Sequence, residues 1–182
     1  MRVAWFSPLP PVPSGIASYS ADVLPLLDAA DASLSIDRFV DRPGTGRTAG
    51  GPNVFNAHDF VWKHQRAPYD LVVYQLGNAR WHDYMWAYLA AYPGLVVLHD
   101  THLHHARARH LLRQGRADDY RAEFRYDHPD APAGVEEYAV EGLSGTLYYL
   151  WSMLPVVVRT ARLTAVHNAR IARSSGSPNH FT

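Results

Sequence analysis

Two short apolar runs constrain this chain more than anything else in it. Asp70-Leu-Val-Val-Tyr-Gln75 and Leu95-Val-Val-Leu98 are the length of buried strands and are rich in valine. Between them, residues 80–92 place aromatic and apolar side chains at helical spacing, and Pro93-Gly94 stops the pattern. Strand, helix and strand within about 30 residues make a βαβ unit. Such a unit requires a parallel sheet with helices on its faces.

The rest of the chain fits that frame. Residues 2–6 read as a first strand, followed by the proline-rich loop Ser7-Pro-Leu-Pro-Pro-Val-Pro-Ser-Gly15. Residues 16–28 read as a helix that Pro25 kinks or ends early. Residues 34–40 read as a second strand and residues 41–52 as a loop rich in Gly, Arg, Thr and Pro. A helix is expected over 103–114, a surface helix and loop over 116–132, a helix over 134–154 and a last strand over 162–167. Another helix begins near Asn168, and residues 173–182 read as a polar, disordered tail. The expected fold is α/β: one three-layer Rossmann-like domain over residues 1–172 with a mainly parallel sheet.

Composition removes several function classes. Lys+Arg and Asp+Glu are 17 each, so binding nucleic acid by net charge is not expected. The count of cysteines is 0, which excludes disulfides, thiolate metal sites and a cysteine nucleophile, and fits a cytoplasmic protein. The start of the chain lacks the basic and apolar regions of a signal peptide. The longest apolar region, residues 143–158, is shorter than the roughly 20 residues that span a bilayer, so it reads as a buried helix.

In a parallel sheet, ligands bind beyond the carboxyl ends of the strands. After the first strand come Ser14 and Gly15, at a helix start. A glycine there lets a phosphate or sugar hydroxyl approach free N–H groups, while Ser14 or Gly15 as a plain N-cap is an equal alternative. Neither a G-x-G-x-x-G fingerprint nor a P-loop is present. After the 70–75 strand comes Asn78, which suits a ligand hydroxyl or an N-cap for the helix at Arg80. Trp81 and His82, at the start of that helix, would face the same cleft. After the 95–98 strand comes His99-Asp100-Thr101-His102-Leu103-His104-His105. His99 and Asp100 are the candidate catalytic pair, with His99 on the substrate and Asp100 beside it. His102, His104 and His105 read as ordinary helix residues.

Together these segments resemble the family 4 glycosyltransferases of the GT-B fold. The resemblance rests on the stretch from Arg2 to Ser20, on Tyr74-Gln-Leu-Gly-Asn78, on Val96-Val-Leu-His-Asp100 and on Arg162-Leu-Thr-Ala-Val-His-Asn168, and covers about residues 1–172. It implies the acceptor-binding half of a two-domain enzyme that moves a sugar from a nucleoside-diphosphate sugar to an acceptor hydroxyl. No metal or other cofactor is implied; the nucleotide sugar is a co-substrate. Gly15 would lie near the donor phosphates and His99 at the reaction centre. Ser14, Asn78 and Trp81 would line the cleft. Many members have two glycines where this chain has Ser14-Gly15. The family's lipid-linked acceptors leave contact with a membrane surface open. The donor domain, with its paired glutamates, has no counterpart in the 182 residues, so sugar transfer by this chain alone is expected to be poor. A separately encoded donor domain is one way to supply it.

Two other classes compete. A metal-dependent hydrolase would use His99, Asp100, His102 and His104, and would bind metal stoichiometrically. A non-catalytic docking domain would expose a large apolar patch.

Overall fold

The computed structural model describes residues 1–41 and 53–167, and the backbone of 180–181. The strands are β1 (Arg2–Phe6), β2 (Ser35–Val40), β3 (Val54–Asn56), β4 (Leu71–Leu76), β5 (Leu95–Leu98), β6 (Leu163–Val166) and β7 (His180–Phe181). The helices are α1 (Gly15–Ala30), α2 (Phe60–Arg66), α3 (Met85–Ala91), α4 (His104–Arg113), α5 (Ala117–Asp127), α6 (Glu137–Val140), α7 (Leu147–Leu150) and α8 (Pro155–Thr160). The strands form one parallel sheet in the order β3-β2-β1-β4-β5-β6-β7.

Alternation along each strand builds three layers. In β1, Val3 and Trp5 point to one face, where Leu24 of α1, Ile36 and Val73 complete a core. Ala4 and Phe6 point to the other, against Phe60 of α2, Met85, Trp86 and Leu89 of α3, and Val157 of α8. Phe6 is ringed by Phe39, Phe60, Tyr74 and Tyr88, each about 5.1 Å away. The expected Rossmann-like α/β fold is therefore present. A third apolar cluster lies outside the sheet, where Ala108 and Leu111 of α4 meet Tyr120 and Phe124 of α5, Leu147 and Met153.

Several expected elements take a different form. Helix α1 runs through Pro25 to Ala30. Pro25 sits on the exposed side of the helix, where the carbonyl its missing N–H would have served is left on the solvent face. The helix expected over 80–92 divides into a 3-10 turn, Arg80–His82, and α3. His82 is drawn inward at that turn to reach the Gln75 carbonyl, which tightens the backbone. The segment 116–132 is not merely a surface helix, since Tyr120 and Phe124 of α5 are fully buried. The helix expected over 134–154, and the buried helix over 143–158, are short pieces. Gly142 and Met153 have positive φ and Pro155 opens α8, so no helix runs through. Leu143, Tyr149 and Leu150 are exposed. β3 and α2 were not anticipated. The loop expected over 41–52, apart from Asp41, and the helix expected to begin near Asn168 lie outside the described residues. So does the expected tail, apart from the backbone of β7, which pairs with β6.

Candidate functional site

The chain reverses its winding direction between β1 and β4, so a crevice lies beyond the carboxyl ends of those strands. Helix α1 starts there. Ser14 is its N-cap, and the Ser14 Oγ accepts from the Ile16 N–H at 3.3 Å. Gly15 is the first helical residue and is exposed; a Cβ there would meet nothing within 4 Å. The first turn of α1 has no acidic side chain to offset its positive end. Ser14 thus serves as the cap, and the space over Gly15 stays open.

β4 delivers Gly77 and Asn78. The Asn78 N–H donates to Asp100 Oδ2 at 2.7 Å, and Asn78 Oδ1 accepts from the Ala106 N–H at 2.8 Å. Asn78 therefore caps the first turn of α4, not the turn at Arg80. Gly77 is walled in: a Cβ would lie 2.4 Å from Ile16 Cδ1, 3.0 Å from Asp100 Oδ2 and 3.2 Å from His82 Nε2. These contacts bring α1, the end of β4 and Asp100 together. Trp81 is half-buried beneath the Arg80 guanidinium, 4.1 Å from its ring.

The sheet register places His99. Gln75 pairs with Val97, and residues two apart share a face, so Gln75 and His99 point the same way. His99 Nε2 lies 2.7 Å from Gln75 Oε1. Leu98 pairs with Val166, so His99 and His167 each stand one residue beyond a strand end, side by side. His167 Nε2 lies 3.2 Å from His99 Nδ1, and Tyr19 of α1 meets both rings edge-on at 5.1 and 5.0 Å. Burial lowers the pKa of His99 to about 4, aided by the His167 and His82 imidazoles. Burial also holds His82 at about 4, against the pull of the Gln75 carbonyl. At neutral pH both rings are uncharged donors and acceptors.

The remaining histidines do not join this group. His104 is buried; its Nδ1 is 3.0 Å from the Trp151 carbonyl and its Nε2 is 2.8 Å from the Tyr120 hydroxyl. His102 pairs with the Thr101 hydroxyl at 2.9 Å, and His105 packs on the Tyr148 ring. Among the described residues no group of three or more His, Asp or Glu could hold a metal ion, so His99, Asp100, His102 and His104 supply no shared ligand set. An exposed apolar patch exists around α6 and α7, with Tyr149 at 76% and Leu143 and Leu150 at 67%. No described helix is long and apolar enough to cross a membrane.

His99, Asp100, Gly15, Ser14, Asn78 and Trp81, the residues the sequence points to, all lie at this end of the sheet, where Gln75, Tyr19 and His167 join them. A glutamine inside a valine-rich strand was the available signal for Gln75. His167 holds the same place after β6 that His99 holds after β5.

The fold is that of an α/β Rossmann-like domain, with the uncharged imidazoles of His99 and His82 beside the N-terminus of α1 at the carboxyl edge of the sheet. No family model, no curated protein and no solved structure matches the chain.

Proposed function

We propose that the chain is the acceptor-side half of a glycosyltransferase of the two-domain, family 4 kind. It acts in transfer of a sugar from a nucleoside-diphosphate sugar to an acceptor hydroxyl. One observation carries this reading. The uncompensated N-terminus of α1, open above Gly15, shares a crevice with His99 and the Asn78–Asp100 pair. A helix N-terminus favours an anionic group, and neutral imidazoles favour hydroxyls. A nucleotide sugar and its acceptor carry both. In this reading Gly15 and Ser14 face the phosphate side, His99 lines the reaction centre as a positioning group, and Asp100 holds the turn at Asn78. Trp81 flanks the acceptor. A second Rossmann-like domain, on another segment or chain, would hold most of the donor.

The test is a titration of the 15N-labelled chain with UDP-glucose, GDP-mannose and the free nucleoside diphosphates. Amide shifts at residues 15–17 and at His99 are expected, and Gly15→Val should abolish them by filling the open space. Unmoved amides at millimolar ligand would overturn the reading.

A further inference from the structure

His99 has no ring nitrogen left for a ligand. Its Nε2 is 2.7 Å from Gln75 Oε1 and its Nδ1 is 3.2 Å from His167 Nε2. Gln75 is fully buried, and its amide oxygen can only accept. With the Gln75 amide oxygen turned to it, His99 donates from Nε2. A neutral imidazole has one hydrogen, so His99 Nδ1 is a bare lone pair and accepts from the Nε2–H of His167. In the tautomer that donates from Nε2, His167 keeps Nδ1 as a lone pair. His167 is exposed, and that nitrogen has no hydrogen-bond partner among the described residues.

We propose that Gln75, His99 and His167 form a directional hydrogen-bond relay whose outward end, Nδ1 of His167, accepts the hydrogen of a ligand hydroxyl. His99 and Gln75 are then positioning residues, and His167 is the group that touches the ligand. Tyr19, edge-on to both rings, fixes their planes. The ligand class follows from the lone pair. A sugar or other polyol hydroxyl donates to it, whereas a phosphate oxygen, itself an acceptor, is repelled. Within the proposed glycosyl transfer, on which the ligand assignment rests, this selects the hydroxyl of the acceptor and leaves the phosphates to the α1 terminus.

The experiment is a long-range 1H–15N correlation on the histidine-labelled full chain at neutral pH, which reads the hydrogen-bearing nitrogen of each ring. Nε2–H on both His99 and His167 is expected. Nδ1–H on either ring reverses the relay and overturns the proposal. Gln75→Glu keeps size and acceptor but brings a carboxylate to Nε2–H. The groups facing His99 are otherwise His167, His82 and Tyr19, so its pKa should rise by about 2 units. An unmoved His99 overturns the Gln75 contact. Methyl α-glucoside should then shift the His167 Nδ1 resonance, and His167→Phe should remove the glucoside's effect on neighbouring amides. A shift caused by inorganic phosphate and not by the glucoside overturns the ligand class. Failure of every nucleoside diphosphate to move the Gly15 amide overturns the glycosyl-transfer reading instead, and does so without altering the tautomers.

Discussion

At the scale of single residues, three positions separate structural need from ligand need. A Cβ on Gly94 would lie 2.1 Å from the Val72 carbonyl oxygen, and backbone in a sheet cannot step aside. Gly94→Ala should therefore cost about 3 kcal/mol or more, or prevent folding, as read by urea denaturation. Gly15 is the converse. Gly15→Ala meets open space and should leave stability within about 1 kcal/mol of the parent, because Ala also suits a helix start. If Gly15→Ala unfolds the chain, the openness assigned to this position is wrong. Asp127 is the third position. Burial beside α8 raises its pKa to about 7, against the pull of the Val156 N–H and Arg159. Its folded pKa lies above the unfolded value of about 3.9, so the folded state favours the protonated form. The penalty is absent in acid, grows as pH rises from about 4 to 7, and is constant above that. Asp127→Asn should stabilise the protein at pH 8 by up to about 4 kcal/mol, with the gain vanishing near pH 4. A gain independent of pH would show that the carboxyl is not the source.

At the scale of elements, legibility depended on how local the cause was. β1, β4, β5 and β6 are short apolar runs bounded by Gly, Pro or polar residues, and each lies within a residue or so of its expected place. β3 and α2 are short and half-buried, with no period to read. α5 shows how charge can mask burial. Its Arg121 and Arg125 make ion pairs with Glu137 and Glu136 at the start of α6, while Tyr120 and Phe124 sit four apart on the hidden face. The site followed the same division. Gly15, Asn78 and His99 were legible because each follows a strand. The pairing of His99 with His167 was not, because it depends on β5 and β6 being neighbours in a particular register. Pro25 is an element-scale case too. It is exposed inside α1, so Pro25→Ala should raise the melting temperature, by an amount equivalent to about 1–3 kcal/mol. A lowered melting point would mean that the ring supports a contact of its own.

At the scale of the whole molecule, the three apolar clusters are unequal. The two flanking the sheet share its central strands, so β1 and β4 are sealed on both faces. The third, among α4 to α7, lies outside the sheet, and α4 and α8 stand between α5 and the strands. Its links to the rest run through α4 and α8, where the Arg159 guanidinium lies 4.9 Å from the Tyr126 ring of α5. Arg107 of α4 pairs with Glu123 of α5, and its guanidinium lies 4.5 Å from the Trp86 ring of α3. The Arg121–Glu137 pair is half-exposed on both sides and so contributes little. A unit held this way opens at lower free energy than the sheet. Hydrogen exchange should show amides of α5, α6 and α7 exchanging at least about tenfold faster than those of β1, β4 and β5. Phe124 is fully buried in the third cluster and absent from the other two. Phe124→Ala, at a cost of about 3–4 kcal/mol, should speed exchange in the helices first and leave the strands protected until the chain unfolds globally. Equal acceleration everywhere would mean that the outer helices and the sheet unfold as one unit. Because His104 joins α4 to Tyr120 of α5, local opening would then no longer be a route by which this side of the molecule moves independently of the crevice.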